Sequence, residues 1–459
     1  MSVPRTASRI TPVLAALRDA SYKSLVHQST APSMTPDSIT PDSTTRDSTS
    51  PAQTATGPLA GLRVFDLTRI LAGPTCTQLL GDLGAEVIKI ERPGTGDDTR
   101  KWGPPFVKDE TGAETTESAY YLSSNRNKRS VTLDIAKPEG QAIAQRLIAG
   151  CDILVENFKT GDLTRYGLGY ADLKTANPGL IYCSITGFGQ TGPYAPRAGY
   201  DYLAQGMGGI MSLTGEPEGE PVKVGIGIAD IMCGMYAVSS ILAALHHRHK
   251  TGRGQAIDLA LLDTQVAWLT YEGLNYLTSG QLPKRQGNEH PNIVPYKVMP
   301  CADGHFILAA GNDSQFRKFC SFAGCPELAD DPRFTTNAQR SINREALYAL
   351  LPEITAKKKQ AEWLDGLAAV GVPAGPVNNL GQVFADPQVL HRGMKQPMAY
   401  FGVPGGQVDL IGNPIKFSET PVDYRVAPPR MGEHTEAVLG ELLEMDEEEI
   451  ATLREAGAI

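Results

Sequence analysis

The sequence predicts an α/β protein with an open, doubly wound (Rossmann-like) sheet in its larger part. Short apolar runs alternate with amphipathic helical patterns from residue 62 to residue 186. A loop with Gly and Pro follows the first run and leads directly into a helix. The 459 residues are also too many for one simple domain, so we expect a second domain or a large insertion.

The first strand–helix–strand unit is predicted in residues 62–91. LRVFDL is a short apolar run, GPTCTQLLGDLGA is a helix, and EVIKIE is the second strand. Such a succession within about 30 residues is typical of a right-handed βαβ unit. The TRILAG loop lies at the carboxyl end of the first strand, where open α/β sheets bind their ligands.

Further elements continue the alternation. KRSVTLDI, DILVENF and LIYCSITGFG are predicted strands, and EGQAIAQRLIAGC is a predicted helix. KVGIGIADIMCGMYAVSSILAALHH predicts a long apolar helix that begins next to Asp230. Amphipathic helical patterns follow in residues 285–385 and again in the C-terminal tail.

Composition argues against several classes of protein. Lys and Arg number 42 against 51 Asp and Glu, a net charge of -9 that disfavours a general nucleic-acid binder. The longest apolar stretch contains Asp230, which favours a buried helix over a membrane span. Seven cysteines without CxxC spacing predict neither a disulfide framework nor zinc. The histidines of HHRHK lack further ligands, so we predict no metal site.

The first 57 residues are predicted to lie outside the fold. Residues 1–27 carry four basic residues and one acid among small and hydroxyl residues, a composition typical of a mitochondrial transit peptide. An ordinary disordered tail is the alternative. Residues 28–57 are rich in Ser, Thr and Pro with an Asp every five residues, which predicts a disordered linker.

A dinucleotide-dependent oxidoreductase is one functional alternative, because Glu91 ends the second strand where such enzymes bind ribose. After Asp66, however, the chain reads TRILAGPTCTQLLG, without GxGxxG or the GxxxxGK[ST] of a P-loop. A different ligand that carries a nucleotide fits better, and coenzyme A is one.

Five longer motifs carry a resemblance to a known family: DLTRILAGPTCTQLLGDLGAEVIKIERPGTGD, NRNKRSVTLDIAKPEG, DILVENFKTGDLTRYGLGY, SITGFGQTGPYAPRAGYDYLAQ and GRGQAIDLALLD. Together they resemble the class III CoA-transferases. GDDTRKWGPPF, NIVPY and GPVNN are most similar to the succinyl-CoA:glutarate CoA-transferases within that family. The resemblance implies an enzyme that moves CoA from succinyl-CoA to a dicarboxylic acid such as glutarate, in the mitochondrial matrix.

The resemblance also implies an architecture. Residues 58–265 and 386–459 are expected to form the large CoA-binding α/β domain, and residues 285–385 a smaller inserted α+β domain. Two chains are expected to interlock as a ring-like homodimer. CoA and acyl-CoA are implied as substrates, with no permanently bound cofactor and with neither nucleic acid nor membrane as a partner.

Asp230 is the predicted catalytic residue. An Asp at the start of a helix is commonly only a cap, but the same position favours a carboxylate and the anion that develops beside it. The resemblance implies that Asp230 forms an anhydride and then a CoA thioester. The alternative in the same fold is an α-methylacyl-CoA racemase, whose catalytic histidine is replaced here by Tyr200. A phenol with a pKa near 10 is a poor substitute for an imidazole, which favours the transferase.

The other site residues are implied by position in the family motifs. CoA contacts are expected from Arg69, Leu71, Ala72, Arg92, Leu133, Ala136, Asn157, Phe158, Arg165, Arg197, Tyr200 and Asp201. Gln205 and His290 are expected to contact the substrate. Arg100 in GDDTRKWGPPF is expected to bind the free carboxylate of the dicarboxylic acid, with a surface ion pair as the alternative.

Overall fold

The computed structural model describes residues 56–459, and the predicted transit peptide and almost all of the predicted linker lie outside them. This part of the chain contains thirteen strands and seventeen α-helices. The strands are β1 (Arg63–Leu67), β2 (Glu86–Glu91), β3 (Phe106–Lys108), β4 (Glu114–Ser118), β5 (Lys128–Thr132), β6 (Ile153–Glu156), β7 (Ile181–Thr186), β8 (Ala256–Ala260), β9 (Tyr296–Cys301), β10 (Gly304–Ala309), β11 (Ala374–Pro376), β12 (Lys395–Ala399) and β13 (Gln407–Ile411). The helices are α1 (Ala72–Asp82), α2 (Ala119–Leu122), α3 (Pro138–Ala149), α4 (Tyr170–Leu173), α5 (Asp201–Met207), α6 (Ile228–Thr251), α7 (Leu261–Ala267), α8 (Thr270–Ser279), α9 (Asp313–Ala323), α10 (Glu327–Asp330), α11 (Asn337–Ile342), α12 (Arg344–Thr355), α13 (Gln360–Ala369), α14 (Leu380–Ala385), α15 (Pro387–His391), α16 (Thr435–Leu443) and α17 (Glu447–Glu455).

Six parallel strands form the central sheet in the order β5-β2-β1-β6-β7-β8. The chain runs outward from β1 through β2 to β5, and then returns to the other side of β1 with β6. The switch point of this doubly wound sheet therefore lies between β1 and β6, where ligands bind beyond the carboxyl ends of the strands. The prediction of a mixed α/β fold with a large parallel sheet is confirmed.

Helices α1 and α6 cover one face of the sheet. Their apolar side chains form one core with β1, β6 and β7. A Cβ on Gly234 would lie 2.6 Å from the carbonyl oxygen of Ala72, so this glycine is what allows the two helices to approach so closely. Within residues 56–459, α6 is the one helix long and apolar enough to cross a membrane, yet it packs against α1 in this core.

Helix α3 and the C-terminal helices α16 and α17 cover the other face. Their buried residues, among them Ile143, Leu147, Val438 and Leu453, form a second core with the sheet. The tail of the chain thus returns to the large sheet and closes its second layer.

The remaining strands form small antiparallel sheets. β11, β10 and β9 pair in that order, and helices α9, α12 and α13 pack on them around Trp363. The residues of this third core run from Val294 to Val372, inside the range expected for the smaller domain. β3 pairs with β4, and β12 with β13.

Candidate active site

Asp230 lies at the beginning of α6, on the wall of a cavity of about 550 Å³. Gly227 precedes the helix, so Asp230 falls in its first turn, where the helix dipole favours a negative charge. The residue is only 8% exposed. Its carboxyl group is therefore shielded from bulk water but reaches the cavity.

Asp201 and Gln205, both on α5, hold the start of α6. Asp201 Oδ1 accepts the backbone N–H groups of Ala229 at 2.8 Å and of Asp230 at 3.4 Å. Gln205 donates from Nε2 to Asp201 Oδ2 at 2.7 Å and accepts the N–H of Val224 at 2.9 Å. The Asp201 carboxylate thus caps a helix that has no side-chain cap of its own.

The environment of Asp230 makes it a weaker acid. Burial raises the pKa of its carboxyl group to about 7, and the negative charge of Asp201 acts in the same direction. Burial also raises the pKa of the Tyr120 phenol to about 12, and the negative charge of Asp230 acts in the same direction. The Tyr120 ring meets Trp102 edge-on, with 5.2 Å between ring centres, and Trp102 lines the cavity. A poorly solvated carboxylate that forms near neutral pH is suited to act as a nucleophile.

Two loops at the switch point of the sheet contribute to the cavity wall. Asn157, after β6, accepts the N–H of Arg69 at 3.0 Å and donates to its carbonyl oxygen at 2.7 Å. Asp97 accepts the N–H of Ile70 at 3.2 Å, and Ile70 has a φ of 74°. A β-branched residue in this left-handed region is strained, so these hydrogen bonds hold the loop in a conformation it would not adopt alone.

A second cavity of about 340 Å³ shares Arg69 and Phe158 with the first. Arg92, which follows β2, lies on its wall with Leu133 and Ala136, which follow β5. The two cavities therefore adjoin beyond the carboxyl ends of the parallel strands.

Comparison with known proteins assigns the chain to a family. Residues 59–435 match the model of CoA-transferase family III. The chain belongs to this family. It is therefore a CoA-transferase, and the family predicted from the motifs is confirmed.

Several relatives of the transferase are highly similar. Succinate–glutarate CoA-transferase of Agrobacterium fabrum is 50% identical over 385 residues, which cover 84% of this chain and 96% of the relative. Succinyl-CoA:glutarate CoA-transferase of Homo sapiens is 45% identical over 402 residues, covering 88% and 90%. The crystal structure of a CAIB/BAIF family protein from Brucella suis matches with a TM-score of 0.75 and 51% identity, covering 84% of this chain and 100% of that chain.

Most of the CoA contacts predicted for the transferase lie on the walls of the two cavities. Around Asp230 these are Arg69, Ala72, Asn157, Phe158, Arg197 and Tyr200; in the adjoining cavity they are Arg69, Arg92, Leu133, Ala136 and Phe158. Lys137, the residue after Ala136, donates to the carbonyl oxygen of Ala456. Loops distant in sequence are thus brought together, and their contact with CoA remains a prediction.

Leu71, Asp201 and Gln205 lie just outside the cavity walls. A Cβ on Gly227 would lie 3.0 Å from a methyl carbon of Leu71, so Leu71 packs beneath the start of α6. Gln205 is fully buried, and both ends of its amide group are bonded within the protein. This placement favours a positioning role for Gln205, and its contact with the substrate stays a prediction.

Arg165 and His290 lie outside both cavities. The Arg165 guanidinium stacks on Tyr166, 4.7 Å from the ring centre. His290 lies between the rings of Tyr271 and Tyr296, at 5.6 and 5.4 Å between ring centres. Within one chain, therefore, His290 lies on neither of these two cavities, and its contact with the substrate stays a prediction.

Arg100 is buried in an ion-pair network and does not face a cavity. Its guanidinium donates to Glu91 at 2.7 and 2.8 Å, to Glu117 at 2.7 Å and to the carbonyl oxygen of Pro429 at 3.0 Å. Its plane stacks on Tyr121, 3.7 Å from the ring centre. Because these partners use its charge and its N–H groups, the arrangement favours a structural role for Arg100 in place of the predicted contact with the free carboxylate of the substrate.

Sequence reasoning missed two features of the site. Lys89, fully buried within β2, donates to Asp97 at 2.9 Å and to the carbonyl oxygen of Thr68 at 3.0 Å, and so fixes the first switch-point loop. A lysine inside the apolar run EVIKIE was the available signal, since a buried lysine needs a charged partner. Tyr120, near Asp230, carried no comparable local signal.

Residues 56–459 contain no group of three or more His, Cys, Asp or Glu side chains able to hold a metal ion. All seven cysteines are buried and free. Burial raises the pKa of Cys233, one turn after Asp230, to about 12, so this neighbour is a neutral thiol.

Proposed function

We propose that this CoA-transferase moves CoA from succinyl-CoA to a dicarboxylic acid such as glutarate, with Asp230 as the nucleophile. The buried Asp230 carboxyl group, on a cavity that adjoins a second cavity at the switch point, carries the proposal. The names of the Agrobacterium and human relatives support the substrate pair, because both include glutarate.

The second cavity suits the nucleotide part of CoA. Arg92 supplies a positive charge for a phosphate group, and Leu133 and Ala136 supply apolar surface for the base. Phe158 and Arg69, shared by both cavities, flank the path of the pantetheine arm. The thioester then lies in the cavity of Asp230.

The first half-reaction transfers CoA to the enzyme. An Asp230 carboxylate oxygen attacks the thioester carbonyl of succinyl-CoA, the C–S bond breaks, and CoA leaves as the thiolate. The product is a mixed anhydride between Asp230 and succinate. The thiolate then attacks the Asp230 carbonyl carbon, which releases succinate and leaves CoA as an aspartyl thioester.

The second half-reaction runs these steps in reverse with the acceptor. A glutarate carboxylate attacks the aspartyl thioester and expels CoA thiolate, which forms a new anhydride. The thiolate attacks the glutaryl carbonyl, and the product glutaryl-CoA leaves with Asp230 restored. Burial of Asp230 limits the access of water, which would otherwise hydrolyse either intermediate.

Replacement of the nucleophile tests this proposal. We expect Asp230→Asn to fold but to lose at least about 10³-fold in glutaryl-CoA formation, because an amide cannot form the anhydride. Asp263→Asn, the same change in the first turn of α7 at an exposed position, is the matched control. Mass spectrometry after incubation with succinyl-CoA and hydroxylamine should locate the modification on Asp230. Near-normal transfer by Asp230→Asn would exclude the mechanism.

We also propose that residues 1–27 direct the chain into mitochondria, although these residues lie outside the described part. Their basic, acid-poor composition supports this proposal. N-terminal sequencing of the protein isolated from the mitochondria of its own cells should find a new N-terminus before or near Pro58. Cytosolic protein that retains Met1 would contradict the proposal.

A further inference from the structure

Resting on the proposed function, we infer that Arg197 binds the second carboxylate of the dicarboxylate substrate. A dicarboxylic acid reacts through one carboxylate and leaves the other charged in the cavity, where an anion without a partner is costly. In the described chain, the cations on the wall of the Asp230 cavity are Arg69, Lys159 and Arg197. Arg69 already has a partner, whereas Lys159 and Arg197 form no ion pair with residues 56–459, and the shape of the cation distinguishes these two.

Arg69 and Lys159 are less suited to this role. Arg69 already pairs with Asp98 at 2.9 Å and lies over the Phe158 ring, on the path proposed for CoA. Lys159 and Arg197 are both exposed, but Lys159 carries its ammonium on a flexible stem, which gives a point charge without defined direction.

Arg197 has an unused guanidinium. Among residues 56–459 it forms no ion pair, and its side chain donates no hydrogen bond to them. Its plane stacks on Tyr194, 3.9 Å from the ring centre, and Tyr194 in turn meets Phe188 edge-on at 5.7 Å. Stacking orients the guanidinium by its face and leaves the in-plane N–H groups free to hold a carboxylate at two points.

The loop that carries Arg197 is fixed relative to the nucleophile. The backbones of Gly187 and Gly199 touch at its base, since a Cβ on Gly187 would lie 2.4 Å from the Cα of Gly199. Directly after this contact come Tyr200 and Asp201, and Asp201 caps the helix of Asp230. The backbone thus places the free guanidinium and the reacting carboxyl group on one cavity wall.

Acceptor specificity tests the inference. In a two-step transfer, kcat/KM for the acceptor reports the second half-reaction alone, so glutarate and pentanoate can be compared with succinyl-CoA as the common donor. We expect Arg197→Ala to lower kcat/KM for glutarate about 10- to 100-fold and to leave pentanoate little changed. Arg197→Lys should be intermediate. Arg333→Ala is the control, because Arg333 is also exposed and stacked on an aromatic ring, that of Phe334 at 4.8 Å, but lies outside both cavities.

Three outcomes separate the explanations. An unchanged glutarate preference in Arg197→Ala, together with weaker binding of free CoA by calorimetry, would assign Arg197 to CoA and overturn the inference. Loss of the preference in Lys159→Ala but not in Arg197→Ala would also overturn it. If the wild-type protein forms no glutaryl-CoA at all, the proposed substrate pair itself fails.

Discussion

At the scale of single residues, Asp230 meets two opposing demands. Burial disfavours its charged form, whereas attack on a thioester requires the carboxylate. The dipole of α6 offsets part of this cost, while the Asp201 charge adds to it. The result is a carboxyl group that ionises near neutral pH.

This balance predicts the pH dependence of the reaction. We expect kcat/KM for succinyl-CoA to rise with pH and to level off above about 7, because burial raises the pKa of Asp230 to about 7 and the carboxylate is the attacking form. Well below that pH, each unit should cost about tenfold in rate. Initial rates across roughly three pH units around neutrality measure this fall in rate on the acid side, the acid limb of the pH profile.

Asp201→Asn provides the matched variant for the pH profile. Asparagine keeps an oxygen that accepts the N–H groups of Ala229 and Asp230 but removes the charge. The acid limb should therefore move to lower pH, although not to that of a free aspartate, because burial is the larger cause. A limb that stays in place would show that the Asp201 charge does not act on Asp230.

Arg100 and Arg197 show how far a single residue can be interpreted from its neighbours in sequence. Arg100 follows two aspartates and precedes an aromatic, which is compatible with a surface pair or a substrate contact. Its actual partners, Glu91 and Glu117, lie 9 and 17 residues away in the chain. Only the fold shows that Arg100 is occupied and Arg197 is free.

At the scale of elements, the buried strands were well predicted. β1, β2, β6 and β7 match their apolar runs to within about three residues, because strands covered on both faces need continuous apolar sequence. The helices α1, α3 and α6 agree with their amphipathic patterns and glycine boundaries in the same way.

The edge strand β8 and the strands of the small antiparallel sheets were not predicted. β8 reads AIDLA, with exposed and half-buried residues ahead of Ala260, and pairs along one side only, with β7. The region of β9 to β11 was expected to be an α+β domain, but only its helical patterns were identified. The pairing of these strands joins residues as distant as Phe306 and Pro376, so their formation depends on long-range contacts that short windows do not contain.

At the scale of the whole molecule, residues 266–282 expose a cluster of large apolar side chains. Val266, Tyr271, Leu274, Leu277 and Leu282 are between 50% and 79% exposed. Apolar surface concentrated in one segment is typical of a protein interface. This segment lies between β8, the last strand of the central sheet, and β9, the first strand of the antiparallel sheet around Trp363. An interlocked partner is expected to pass along this connection.

We therefore expect the protein to be a homodimer that buries this segment. Light scattering should give twice the mass of the 49.2 kDa chain, apart from any residues removed from the N-terminus. Leu277→Asp should weaken the dimer, because a charge replaces an apolar contact. Ile342→Asp, at an isolated exposed residue, is the control. A monomeric wild-type protein would contradict the expected ring-like dimer.

The sequence by itself determined the succession of β1, α1, β2, β5, α3, β6, β7 and α6, the family and the candidate nucleophile. These depend on local periodicity and on contiguous motifs, which a chain displays before it folds. The tertiary structure decided which charged side chains pair with one another and which face the cavity. Arg100, Lys89 and Gln205 are bonded within the protein, whereas Arg197 is not. Such partnerships depend on packing between distant segments, because a buried charge takes its partner from whatever the fold places beside it.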